Sequence, residues 1–126
     1  MSVGPMDVEI IAVTSNDKDF TAGSPIAYEV TAEVGTALHG NGGRYKVRLT
    51  ITDITNPTLL DSQVVQGNYT DANWPAPGIN TFRFTVPAAA TTGRSGDIVQ
   101  AQASLIGNVT PPFDNSHVVG GTVLLT

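Results

Sequence analysis

"HGNGGRYKVRLTITD", residues 39–53, is the stretch that decides the fold. From Tyr45 onward the apolar residues Tyr45, Val47, Leu49 and Ile51 alternate with Lys46, Arg48, Thr50 and Thr52, the period of a strand with one buried and one wetted face. The glycines ahead of it admit two readings, a cradle for a phosphate or a corner between strands. A cradle needs backbone amides that lead into a helix N-terminus. Neither G-x-x-x-x-G-K-[ST] nor G-x-G-x-x-G is present, and an alternating strand follows Gly43. Glycine and Asn41 tolerate positive φ, so residues 40–43 are read as a corner.

The same alternation recurs along the chain. "IAYEVTAEV" sets Ile26, Tyr28, Val30, Ala32 and Val34 against Glu29, Thr31 and Glu33, and "NTFRFTVP" sets Phe82, Phe84 and Val86 against Thr81, Arg83 and Thr85. "DIVQAQASLIG" points Val99, Ala101, Ala103 and Leu105 inward. "DVEIIAVT", "TLLDSQVVQ" and "HVVGGTVLLT" are less regular, but their β-branched content favours strands. Clusters of Gly, Pro, Asn and Asp separate these segments, and no amphipathic stretch reaches helical length. The only helix-friendly piece, "AAATTG" from Ala88, is short. About seven strands so spaced predict an all-β antiparallel sandwich. In Greek-key order the 26–34 strand lies beside the strand of Phe82 and Phe84, and the 45–53 strand beside that of Ala101 and Ala103. Glu29 and Glu33 then share an outer face with Arg83.

"AGSPIAYEVTAEV" and "PGINTFRFTVPAAATTGRSGDIVQAQASL" resemble the B strand and the E-to-F passage of the immunoglobulin-like and fibronectin type III-like β-sandwich domains of bacterial surface and accessory proteins. The resemblance covers most of the chain. It implies an immunoglobulin-like Greek-key sandwich and carries no functional residue. The pattern departs from antibody domains in lacking a cysteine pair, a tryptophan in strand C and a tyrosine in strand F.

At 126 residues the chain is expected to form one domain, residues 1–126, able to bury a core without staples. It has no cysteine, which removes disulfides, thiolate metal sites and thiol nucleophiles. The net charge of −5 opposes phosphate attraction and the six basic residues read as scattered, so nucleic acid is not expected as a partner. The N-terminal segment lacks the basic flank of a signal peptide, and nothing approaches the ~20 apolar residues of a membrane-spanning helix. Only 13% of residues are charged, a surface composition common in extracellular β-rich modules, so an extracellular or cell-surface setting is favoured.

Several candidate sites follow. Trp74 lies in "NYTDANWPAPG" with Tyr69 nearby, and with Phe113 the two are the residues expected to touch a ligand or partner. An exposed indole stacks on a sugar ring or anchors a protein, while a buried one plugs an open end of the sandwich; both readings stand. His39 and His117 are read as solvated loop histidines, with a zinc site formed by their convergence on an aspartate as the alternative. Asp17, Asp19, Asp71, Asp97 and Asp114 sit at strand ends or in loops, where carboxylates either gather around calcium or cap local turns. No calcium-loop motif, nucleophile elbow or paired-histidine spacing occurs; Glu9, Glu29 and Glu33 are carboxylates that folding could pair for glycoside hydrolysis, while Glu29 and Glu33 on the wet face of their strand read as solubilising. "NYT" at Asn68 and "NVT" at Asn108 match glycosylation acceptors. No catalytic residue, cofactor or metal is assigned. The expected function is a non-catalytic structural or protein-binding module of a larger surface, appendage or capsid assembly, with a carbohydrate-binding module and a metal-dependent hydrolase as alternatives.

Overall fold

The computed structural model describes residues 8–15, 19–40, 44–69, 74–107 and 114–126. Eight strands run in order: β1 (Val8–Ser15), β2 (Asp19–Phe20), β3 (Ile26–Val34), β4 (Arg44–Asp53), β5 (Thr58–Asn68), β6 (Gly78–Val86), β7 (Ile98–Gly107) and β8 (Asp114–Leu125). One sheet has the order β1-β3-β6, the other β2-β8-β7-β4-β5. Every pairing is antiparallel except that of β2 with β8. The chain is therefore an all-β sandwich of immunoglobulin-like, Greek-key connectivity. Seven long strands build it, and the two-residue β2 is added where the chain crosses from the first sheet to the second.

The alternation explains which side chains fill the space between the sheets. The nine residues of β3 alternate without a break, as do Tyr45 to Asp53 of β4 and Val99 to Gly107 of β7. Tyr45, Val47, Leu49 and Ile51 face Phe82, Phe84 and Val86 across the sandwich, all buried. Each fully buried aliphatic or aromatic side chain contributes about 1.5–3 kcal/mol relative to exposure. A one-residue slip of any of these strands would turn its whole apolar set to water, so the pattern fixes register as well as fold. The neighbour relations expected from sequence hold: β3 pairs with β6, β4 with β7, and Glu29 stands opposite Arg83 with 3.1 Å between Nε and Oε1.

One local feature was not foreseen, and one helix-friendly piece is as short as expected. The corner after β3 begins with a one-turn helix, α1 (Thr36–Gly40), closed by the His39 N–H donating to the Gly35 carbonyl at 3.1 Å. Residues 41–43 lie outside the described residues. The "AAATTG" piece forms a single 3₁₀ turn at Ala88–Ala90.

At the far end of the sandwich, where β4 ends, Asp53 is fully buried. One carboxylate oxygen accepts the backbone N–H groups of Thr55 and Asn56, each at 2.9 Å. The other accepts the Arg94 guanidinium at 2.9 Å. Burial alone would raise the Asp53 carboxyl. Hydrogen bonding with Asp97, the Asn56 N–H, Arg94 and the Thr55 N–H outweighs it and holds the carboxyl below its ordinary value. The clasp ties the β4–β5 turn to the turn entering β7, and the Thr55 hydroxyl joins it by accepting the Ile98 N–H at 2.9 Å.

Candidate functional site

The residues singled out for contact gather at the end of the sandwich that carries α1, and they gather inside it. Trp74 and Tyr69 are both 0% exposed. The indole meets Tyr45, Tyr69 and Phe82 edge-on at ring distances of 5.4, 5.1 and 5.4 Å, the preferred geometry of packed aromatic pairs. This is the plug reading. An exposed stacking platform on Trp74 and Tyr69 does not form, because Pro75 and the strand entry at Gly78 let the indole fold back under α1, where the core offers it three rings. Phe113 lies outside the described residues. The Trp74 Nε1 and Tyr69 hydroxyl atoms find no hydrogen-bond partner among the described residues.

His39 is not solvated either. Helix α1 turns Leu38 and His39 inward, and the His39 Nε2–H donates to the Trp74 carbonyl at 2.6 Å. A carbonyl only accepts, so Nε2 carries the proton and is not free to ligate a metal. His117 is exposed, but on β8 rather than in a loop, where it stands opposite Ser104. Among the described residues no group of three or more His, Asp or Glu is placed to hold a metal ion. Asp97 lies in the turn before β7 and accepts the Asn56 side-chain amide at 3.1 Å, a bond that reaches across to the β4–β5 turn. Asp17, Asp71, Asn108 and the side chains of Asp19 and Asp114 lie outside what is described; Asn68 ends β5.

The feature that sequence reading missed is on the outer face of the five-stranded sheet. Arg44, Lys46 and Arg48 occupy every second position at the start of β4 and form one column, with successive charges about 7 Å apart along the strand. They are half of the six basic residues in the chain, which are therefore not scattered. Arg83 is paired with Glu29 and Arg94 with Asp53, whereas the three cations of β4 make no ion pair among the described residues. The register of the sheet explains why. Lys46 is flanked by Gln66 and Ile106, and Arg48 by Val64 and Ser104, with His117 next in that row. Among the described residues the outward positions of β4, β5, β7 and β8 hold no aspartate or glutamate. Lys46, Arg48, Ser104 and Ile106 border a shallow open depression of ≈ 200 Å³. The signal was present in "RYKVR", a cation at i, i+2 and i+4 of an alternating strand, but only the sheet register shows that no neighbouring strand answers it.

The opposite outer face is acidic. Glu9 stands directly across from Glu33 in the β1–β3 pairing, and Glu29 meets Arg83 in the β3–β6 pairing. The two sheets thus present surfaces of opposite sign on a chain of net charge −5.

No protein-family model and no curated protein matches the chain. Similarity lies in solved structures. A glycosyl hydrolase family 2 member from Bacteroides cellulosilyticus matches 89% of this chain at 11% identity with a TM-score of 0.51, and the match spans 15% of that protein. A protein from Bacteroides fragilis described as a β-galactosidase matches 90% of this chain at 10% identity with a TM-score of 0.53, over 17% of its own length. The CARDB domain of a Pyrococcus furiosus protein matches 95% of this chain at 14% identity with a TM-score of 0.49, over 86% of that domain. The chain thus spans less than a fifth of either hydrolase, and what it shares with them at these identities is a two-sheet β fold.

Proposed function

We propose that this chain is a non-catalytic immunoglobulin-like module that works by contact, seated through the outer face of its five-stranded sheet on an acidic protein surface. The observation that carries this reading is the column Arg44, Lys46 and Arg48, three cations without a carboxylate partner among the described residues. A sandwich that needed only to be soluble would intersperse signs, as β3 and β6 do with Glu29 and Arg83. The apolar neighbour Val64, 41% exposed and directly beside Arg48, adds contact area next to the charges. Three cations on an acidic chain fall short of the run of phosphate contacts that nucleic acid demands, which favours a protein carboxylate surface.

The test is binding to immobilised poly-glutamate at low ionic strength, followed by surface plasmon resonance. The chain is expected to bind, and binding is expected to weaken steeply as salt shortens the Debye length from ~30 Å at 0.01 M to ~3 Å at 1 M. The triple variant Arg44→Gln, Lys46→Gln, Arg48→Gln, with an unchanged circular dichroism spectrum, is expected to lose at least tenfold in affinity. Equal binding by variant and parent would overturn the assignment of this face.

A further inference from the structure

The structure assigns an occupant to the cationic column: the outer face of the three-stranded sheet of a second copy of this chain, joined head to tail. The inference rests on the contact reading above and names its partner.

Like charges placed directly opposite on neighbouring strands destabilise a sheet, because their Cβ atoms stand only about 5 Å apart. Glu9 and Glu33 form such a pair, half-buried, and neither has an ion-pair partner among the described residues. The chain carries a second arrangement of the same kind with the opposite sign, the column on β4. Each patch answers the other. Both lie at the end of the sandwich that carries α1: Glu33 is near the end of β3, the strand before that helix, and Arg44 opens the strand after it. They face away from each other across the two sheets, so no single molecule can bring them together.

Each patch is also bordered by apolar side chains that are exposed or half-buried. Ile11, pushed out by the bulge in β1, is 46% exposed, and Ile79, opposite Glu33 on β6, is 65% exposed. On the other face Val64 stands beside Arg48 and Ile106 beside Lys46. A contact that sets carboxylates on cations therefore also sets isoleucine on valine and isoleucine. Because the two patches belong to different faces, the contact is heterologous, and each copy that uses one face leaves the other free for the next. Copies add in a row rather than closing as a two-fold dimer.

The experiment is sedimentation of the full chain over a range of concentrations at low salt, with two neutralised variants. One carries Arg44→Gln, Lys46→Gln and Arg48→Gln; the other carries Glu9→Gln and Glu33→Gln. The parent chain is expected to grow beyond a dimer as concentration rises and to return to monomer at ~1 M salt. Each variant alone is expected to remain monomeric. Mixed in equal amounts, they are expected to give a 1:1 heterodimer and nothing larger, since one intact face of each kind remains. A parent chain that stays monomeric at low salt while binding poly-glutamate overturns the self-association and leaves the contact function standing; loss of both overturns both. Association that survives unchanged in either variant, or a parent that stops at a dimer, also refutes the head-to-tail contact.

Discussion

The Asp53 clasp is a place where the loss of one side chain should be costly. Asp53→Ala removes one ion pair and the acceptor of two backbone N–H groups, all made by a side chain with no solvent access. Hydrogen bonds to a charged group contribute about 1.5–3 kcal/mol each, and the three contacts would sum to more than any point mutant usually loses. The structure limits the loss. Thr55 and Asn56 are exposed, so their freed N–H groups meet water, and the Arg94 side chain keeps 28% of its surface in solvent. About 3 kcal/mol is the expected net cost. With an unfolding entropy of about 2.1 cal/mol/K per residue, that lowers Tm by roughly 11 °C for a chain of this length. Asp53→Asn keeps an acceptor for the turn but gives up the charge, and should lose about half as much. The pH dependence separates charge from packing. A carboxyl held below its unfolded value contributes stability that is complete above about pH 4, the unfolded pKa, and is lost as pH falls through the lower folded value. Thermal melts followed by circular dichroism from about pH 3 to pH 7 should show the parent losing stability on acidification faster than either variant. Parent and Asp53→Ala melting within about 2 °C of each other at neutral pH would refute the clasp as a stabilising element.

Other substitutions probe the packed end and the surface. Gly107→Ala would drive a Cβ into the Val8 side chain and within 3.1 Å of both Leu38 and the Tyr69 hydroxyl, so it should destabilise by about 1–3 kcal/mol in chemical denaturation. Tyr28→Phe removes a buried hydroxyl that has no partner among the described residues and should be neutral or stabilising by about 1 kcal/mol; a loss of more than that would mean the hydroxyl is satisfied. Burial pushes Tyr28 up to about 12 and, together with Tyr45, raises Tyr69 as well. Both should resist ionisation at about pH 11 while the protein is folded, and the stability they lend is present below pH ~10 and lost as pH rises through the folded values. Ultraviolet titration of the folded chain against the chain in guanidinium reads this directly. A double-mutant cycle on Glu29 and Arg83, whose side chains are 38% and 79% exposed, should return a coupling of no more than about 0.5 kcal/mol.

What was legible in the sequence was what one strand decides for itself. The period in "IAYEVTAEV" or "YKVRLTITD" names the buried face before any partner is known, and the number and spacing of such strands leave few architectures. Even the opposition of Glu29 and Arg83 followed once β3 and β6 were placed side by side. What was not legible depended on the third dimension. Nothing in the sequence singled out Asp53, because the guanidinium that neutralises it is 41 residues away. His39 looked like a loop residue, because only the folded α1 shows that the loop turns it onto the Trp74 carbonyl. Trp74 was open to two readings because proline and glycine around it predict a loop without saying which way the indole swings. The three cations of β4 read as an ordinary wet face until the register showed that, among the described residues, the flanking strands place no carboxylate beside them.

The short β2 joins the early part of the chain to its last strand: the Thr126 N–H donates to the Phe20 carbonyl at 2.8 Å, and the Thr126 hydroxyl reaches the same oxygen across 106 residues of intervening chain. A bond that encloses so long a loop has no local precursor, so it forms only after β8 has found β7. Kinetically this places the molecule among slow, non-local folders, with refolding on the millisecond to second scale. Trp74, the single tryptophan, sits at the opposite end under α1 and would give a fluorescence signal for core formation before the seam between β2 and β8 is sewn.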